Sequence, residues 1–223
     1  MAYLDFLSVT HNATKRDYLA RVNDPEFPKA KAAELAKQWG HDYWDGDRRI
    51  NYGGYNYRPG WWQRVSDAMQ AHYQLKPGDK ILDVGCGKGF LLYDWTQTLP
   101  GVDVAGIDVS AYALEHAKPD IQDRLTLGSA AELPYPDDHF DLVYSINTLH
   151  NLHNYELYPA LQEMQRVSKQ HAYLCVESYR NETEKANLLY WQVTCEAFNS
   201  PEAWQWWFDH AGYTGDHSFI YFE

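Results

Sequence analysis

The sequence predicts an α/β protein built on a doubly wound, mostly parallel sheet of six or seven strands, with an N-terminal helical cap. Three observations carry this. Between residues 80 and 177 short apolar runs alternate with helical segments, the pattern of parallel strands joined by right-handed crossovers. The first run, Ile81-Leu82-Asp83-Val84, passes directly into Gly85-Cys86-Gly87-Lys88-Gly89. Glycines there let the backbone approach a ligand closely, and the loop opens a helix whose free N–H groups and positive dipole end favour electron-rich groups. About one βα unit later, Gly106-Ile107-Asp108-Val109-Ser110 puts an acid at the next strand's tip, where a doubly wound sheet brings ribose hydroxyls.

The elements follow in order. Residues 14–22 and 29–39 read as helices, the second stopped by Gly40 as a C′ residue. Residues 41–60 are rich in Tyr, Gly and Asp and have neither a helical nor a strand period, which marks a long loop of the kind that often carries function. In the segment 61–73, Trp62, Val65, Met69 and Tyr73 recur at helical spacing, and Lys76-Pro77-Gly78-Asp79 turns the chain into the sheet. Strands are expected at 80–84, 102–107, 124–127, 140–146 and 172–177, with helices at 88–99, 111–118 and 155–167. A long helix at 182–198, another at 201–211 with Pro201 in its first turn, and a last strand at 214–222 complete the chain. The expected organisation is a cap with an aromatic lid loop over residues 1–60, then a catalytic domain over 61–223 with a helical insertion at about 178–200.

Composition narrows the function. With 223 residues, 45% of them hydrophobic, the chain can bury one full core and still carry an appendage. A net charge of −12 with no basic cluster argues against a nucleic-acid substrate. No run approaches the ~18 apolar residues of a membrane span, and the first residues lack a signal-peptide pattern, so a cytoplasmic protein without membrane partners is expected. Cys86, Cys175 and Cys195 are spaced for neither disulfides nor zinc, and no metal site is expected. Trp204, Trp207 and Phe208 share one helical face, which fits core packing or a homodimer interface.

Asp83-x-Gly85-x-Gly87-x-Gly89 resembles motif I of the class I S-adenosylmethionine (SAM)-dependent methyltransferases, whose fold is Rossmann-like. A dinucleotide fingerprint G-x-G-x-x-G fits worse, because its third glycine falls at Phe90. The resemblance extends from residue 80 to 177, through Gly128-Ser129-Ala130-Ala131-Glu132-Leu133-Pro134-Tyr135 and Phe140-Asp141-Leu142-Val143-Tyr144-Ser145. It implies SAM as cofactor and S-adenosylhomocysteine (SAH) as product. It further implies that Asp83 belongs to the cofactor site, that Gly85 and Gly87 line the methionyl part, Asp108 the ribose and Val109 the adenine, with Ser129 and Ala130 reading the ring and Asn147 bordering the methionyl end. Ser129 stands where the family commonly has Asp. The N-terminal aromatic block and the segment after the fifth strand are similar to stand-alone bacterial methyltransferases of small metabolites.

The acceptor side is read from position. Methyl transfer is an in-line displacement in which an acceptor must be held behind the methyl carbon and relieved of any proton. His150 lies just after the fourth strand and Glu177 at the end of the fifth, both at the carboxyl edge where α/β sheets bind ligands. His150 fits a base or a helix-capping role equally, and Glu177 fits either an acceptor contact or a structural pair with Arg180. Tyr52, Tyr55, Tyr57 and Arg58 in the lid loop, with Tyr179 and Arg180, are the candidate substrate contacts. The expected function is methylation of nitrogen or oxygen on a small polar metabolite. The alternatives are an NAD-dependent oxidoreductase on a similar sheet, or a non-catalytic SAM- or partner-binding module.

Overall fold

The computed structural model describes residues 1–8, 10, 17–53 and 55–223. Six strands form one sheet in the order β3-β2-β1-β4-β5-β6, all neighbours parallel. They are β1 (Lys80–Val84), β2 (Asp103–Asp108), β3 (Leu125–Leu127), β4 (Phe140–Ile146), β5 (Ser168–Glu177) and β6 (Asp216–Ile220). The order reverses direction between β1 and β4, so the cleft for a ligand opens beyond their carboxyl ends. On the outer edge of β6, Leu4 donates its N–H to the His217 carbonyl at 2.9 Å and His217 donates to Ala2 at 3.0 Å. That bridge covers an otherwise unpaired strand edge.

Alternation along the strands sorts the core into two layers. Leu82, Val84, Val143, Leu174 and Val176 point to one face, against α7 (Asn154–Val167) and α9 (Pro201–Ala211). Ile81, Leu142, Tyr144, Tyr173 and Cys175 point to the other, against α4 (Gln63–Tyr73) and α5 (Phe90–Thr98). By the same alternation Asp83 and Glu177 lie on the α4/α5 face, one on β1 and one at the end of β5. α6 (Ala111–Glu115) follows β2, with the Ser110 hydroxyl capping it at the Ala113 N–H.

Before the sheet come α1 (Tyr18–Val22), α2 (Lys29–Ala36) and α3 (His41–Trp44). The expected helical start at residues 14–16 lies outside the described residues. α2 ends earlier than the sequence predicts, and the left-handed residue that stops it is Trp39 (φ 53°) rather than Gly40. Tertiary contacts decide this, because the Trp39 carbonyl accepts hydrogen bonds from the Ser110 hydroxyl and the Trp44 indole. α3 is a single turn inside the segment read as pure loop.

After β5 the expected helix over 182–198 is shorter: α8 spans Glu182–Trp191 and the chain continues extended from Gln192. Val193 and Thr194 are β-branched and poor helix formers, and their N–H groups are satisfied instead by the Tyr52 hydroxyl at 2.7 and 3.1 Å. In α9, Trp204 and Phe208 are fully buried while Trp206 faces solvent. Trp204 also donates its indole N–H to the Glu177 carbonyl at 3.0 Å, which ties α9 to the end of β5. Trp204→Ala is expected to lower the unfolding free energy by about 3–5 kcal/mol in urea titration. Trp204→Phe keeps most of the packing and removes the indole N–H, so its loss should be smaller, nearer the ~1 kcal/mol of one net hydrogen bond.

Candidate active site

The carboxyl ends of β1, β2, β4 and β5 and the loops leaving them surround one cavity of about 800 Å³. Its first half is built on the glycine loop. Gly85 (φ 82°) and Gly87 (φ 54°) adopt left-handed conformations, and the Gly85 and Cys86 N–H groups bond the Ile107 carbonyl at 2.8 and 3.1 Å. A Cβ on Gly85 would lie 2.2 Å from the Thr148 side chain, and one on Gly87 would lie 2.6 Å from the Trp44 ring. Only glycine permits both the turn and these approaches.

The Asp108 carboxylate is held at both oxygens, by the Gly87 N–H at 2.8 Å and the Ser110 N–H at 2.8 Å. Burial raises its pKa against the lowering effect of those N–H bonds. Each oxygen retains a second lone pair for an incoming hydroxyl. Val109 beside it is 53% exposed, an apolar surface open to a flat ring, and Ser129 and Ala130 line the same end. The segment leaving β3 is pinned to α7, where Glu163 accepts from the Leu133 N–H at 2.8 Å and Arg166 donates to the Leu133 and Tyr135 carbonyls. Asp83 is buried, and desolvation, with the Asp108 charge adding to it, raises its pKa to about 8 despite the nearby Tyr144 hydroxyl.

A strap from the N-terminal region lies across this half. Lys88, buried within the loop, directs its ammonium group to both Asp45 oxygens at 2.7 and 2.8 Å and to the Tyr55 carbonyl at 3.3 Å. Tyr112 adds a bond to Asp45 at 2.9 Å, and the Trp44 indole donates to the Ser110 hydroxyl at 2.8 Å. Neither Lys88 nor Trp44 stands out in sequence, because the partner that defines each is more than forty residues away.

The second half is acidic and aromatic. Glu177 is 8% exposed and accepts a hydrogen bond from the Gln192 amide nitrogen. His150 sits in a short 3-10 turn after β4, with Nε2 3.6 Å from the Glu177 carboxylate and Nδ1 accepting the Glu177 N–H at 3.3 Å. That acceptor role assigns the proton to Nε2, and burial depresses the imidazole pKa to about 3, so the ring is neutral. The His150 carbonyl receives the Glu196 and Ala197 N–H groups, both at 2.9 Å, which closes the segment after α8 over the cavity.

Of the residues expected from sequence, Asp83, Gly85, Gly87, Asp108, Val109, Ser129, Ala130, Asn147, His150, Glu177, Tyr52, Tyr55 and Arg58 all line this one cavity. Three others do not. Tyr57 donates to Asp94 at 2.6 Å and packs against Phe90 and Tyr93 on the outside of α5. Tyr179 packs in the small cluster of Tyr18, Leu188 and Phe222, and Arg180 pairs with Glu184 at 2.5 Å and Glu223 at 2.7 Å. The chain turns outward immediately after β5, so only Glu177 remains at the cavity. The sequence leaves open a structural pair between Glu177 and Arg180; Arg180, just ahead of α8, pairs instead with Glu184 on that helix and with Glu223.

An all-parallel sheet of this order, with a glycine loop after its first strand and an acid at the tip of its second, is a Rossmann-like architecture of the kind that binds nucleosides at its switch point. A family model described as a methyltransferase domain matches residues 75–212, and the chain belongs to that family, the class I SAM-dependent methyltransferases. It is 33% identical to the 27-O-demethylrifamycin SV methyltransferase of Amycolatopsis mediterranei over 54% of this chain and 46% of that one. It is 34% identical to a demethylmenaquinone methyltransferase of Symbiobacterium thermophilum, over 53% and 50% of the two chains. The chain thus spans about half the length of the curated relatives it matches. The crystal structure of the YcgJ protein from Bacillus subtilis superposes with a TM-score of 0.54 at 22% identity, covering 66% of each chain, a likeness of fold.

SAM is the methyl donor of this family, and the residues present fit it. The Gly85–Gly87 backbone leaves room that any Cβ would fill, Asp108 has acceptor capacity for ribose hydroxyls, and the carboxyl groups of Asp83 and Glu177 in the cavity lining suit a cofactor that carries positive charge. The alternative of an NAD enzyme is set aside by the family match and by Lys88, whose charge is committed to Asp45.

Two buried groups set the pH dependence of stability. Asp83 titrates near 8 in the folded protein against 3.8 ordinarily, so its contribution is complete below pH 3.8 and is lost as pH rises toward 8. His150 titrates near 3 against 6.5, so its contribution is present above pH 6.5 and lost as pH falls toward 3. The two oppose each other between 3.8 and 6.5, and from 6.5 to 8 the Asp83 contribution declines with no offset from His150. Thermal melts should therefore show Tm falling from pH 6.5 to 8, and Asp83→Asn should flatten that decline.

Proposed function

We propose that this protein transfers the methyl group of SAM to nitrogen or oxygen of a small polar metabolite. The observation that carries this reading is the single cavity that joins the glycine loop and Asp108 to Glu177. At about 800 Å³ it lies within the usual range for small-molecule sites, and aromatic rings and charged side chains share its lining. In this reading Gly85, Gly87 and Asn147 line the methionyl part of the cofactor and Asp83 faces its positive charge. Asp108 holds the ribose, while Val109, Ser129 and Ala130 receive the adenine.

Bound SAM supplies an electrophilic methyl carbon on a sulfonium. The chain's part is to hold the acceptor in line and to exclude water. Glu177, at the end of β5, is the group placed to orient the acceptor and take its proton. His150 is a poor base because burial depresses its proton affinity, its Nδ1 lone pair receives the Glu177 N–H, and its Nε2 proton faces the Glu177 carboxylate. Its role in this reading is to position Glu177. Tyr52, Tyr55 and Arg58, with the strap, form the wall over the acceptor. Relatives named as methyltransferases of 27-O-demethylrifamycin SV and of demethylmenaquinone are consistent with a small-molecule acceptor.

Calorimetry should show stoichiometric binding of SAM and SAH. Asp108→Ala should weaken both by at least about tenfold, the consequence of losing one charge-assisted hydrogen bond. A cation beside Asp83 favours its ionised form, so SAM affinity should rise with pH up to about 8 in the native protein and stay flat in Asp83→Asn. Incubation with methyl-labelled SAM and a small-molecule extract should yield a labelled product. Intact binding without any product would favour a non-catalytic module, and absence of SAM and SAH binding would overturn the reading.

A further inference from the structure

Gln192 lies just beyond α8, 140 residues from Tyr52 in sequence, and the two meet beside Glu177. The Tyr52 hydroxyl has two lone pairs and one proton to offer. The N–H groups of Val193 and Thr194 occupy its lone pairs at 2.7 and 3.1 Å. Its proton is left for Gln192 Oε1 at 2.6 Å. The Thr194 hydroxyl, 3.0 Å from the same oxygen and 3.4 Å from Gln192 Oε1, completes the group.

This inventory fixes the Gln192 amide. Its oxygen must face Tyr52, because a Gln192 N–H would find no lone pair there. Its nitrogen must then face Glu177, and the structure has that bond to Glu177 Oε2. Gln192 is 3% exposed, so no water competes for the choice. An amide that turned over would set its oxygen against the carboxylate, two acceptors together in a buried setting, which is strongly unfavourable.

We propose that Gln192 and Tyr52 are positioning residues, with Tyr52 locking the Gln192 amide so that it holds the Glu177 carboxylate ionised and aimed at the cavity. The assignment rests on the methyltransferase reading for what Glu177 does. Tyr52 then contributes its ring to the cavity wall, while its hydroxyl serves the protein rather than the substrate. Since Tyr52 belongs to the N-terminal loop and Gln192 to the segment after α8, the carboxylate is oriented only when those two segments are seated on each other.

Glu177 can be followed by 13C NMR of protein labelled at the glutamate side-chain carboxyl, its resonance assigned by its disappearance in Glu177→Gln. Removing a donated hydrogen bond from a carboxylate raises its pKa. Gln192→Met should therefore raise the Glu177 titration midpoint by one pH unit or more, a tenfold change in its proton affinity. Tyr52→Phe should move it in the same direction. The double variant should move it no further than Gln192→Met alone, because Tyr52 acts through Gln192. SAH affinity, measured on the same samples, should stay within about twofold of native, since it is governed by the other half of the cavity. With a labelled product in hand, kcat should fall in both variants while KM for SAM stays level. An unmoved midpoint in Gln192→Met, or additive shifts in the double variant, would overturn the proposal. If Tyr52→Phe fails to fold, the midpoint in Gln192→Met decides alone. Loss of SAH binding in the native protein overturns the methyltransferase reading and leaves the titration result standing.

Discussion

Two missing Cβ atoms, at Gly85 and Gly87, are what the rest of the molecule is arranged around. The chain leaves β1 in left-handed backbone at both positions, which lets the loop lie flat against the Ile107 carbonyl and turn the Gly87 N–H onto Asp108. The vacated space is used twice. Thr148, from the loop after β4, fits against Gly85, and Trp44, from the N-terminal strap, fits against Gly87. Sheet, second-strand acid, fourth-strand loop and strap therefore converge on one short turn. A side chain at either glycine would displace a different layer.

Electrostatics follows from what that convergence buries. Asp83 and Glu177 are buried at the carboxyl edge, and Asp108 is half-buried beside them. Each is handled differently. Asp108 is bonded by two backbone N–H groups, Glu177 receives the Gln192 amide, and Asp83 has so little compensation that its proton is retained to about pH 8. The loop's own cation, Lys88, is turned away from the cavity's acids and spent on Asp45. The outcome is a pocket that is negative without being fully ionised, suited to a nucleoside that brings positive charge and ill suited to a phosphate chain.

The legible parts of the sequence were those where local chemistry and fold agree. The glycine loop, Asp108 and the strands of the sheet stand out because each is specified within a few residues, by backbone sterics or by apolar alternation. Glu177 was legible for the same reason, as an acid where a buried strand ends. Tyr179 and Arg180 were not, because position beyond a strand does not tell which way the chain turns, and here it turns into α8. Helix ends were misjudged where tertiary partners set them: Trp39 takes the left-handed turn to satisfy Ser110 and Trp44, and α8 stops where Tyr52 supplies acceptors for Val193 and Thr194. Lys88 and Gln192 carry no local signal, since their meaning is a partner distant in sequence.

The N-terminal loop touches both halves of the cavity through different chemistry. At the cofactor end it docks by charge and an indole, through Asp45 on Lys88 and Trp44 on Ser110. At the acceptor end it docks by one hydroxyl, with Tyr52 closing the turn after α8. Between these anchors the rings of Tyr43, Trp44, Tyr52 and Tyr55 pack edge to face or tilted, so the loop has a small core of its own. That core holds the two anchors at a fixed spacing, while the chemistry at each is separate: charge and an indole beside the glycine loop, one hydroxyl beside Glu177. One short segment thereby serves both halves of the cavity without making either depend on a ligand in the other.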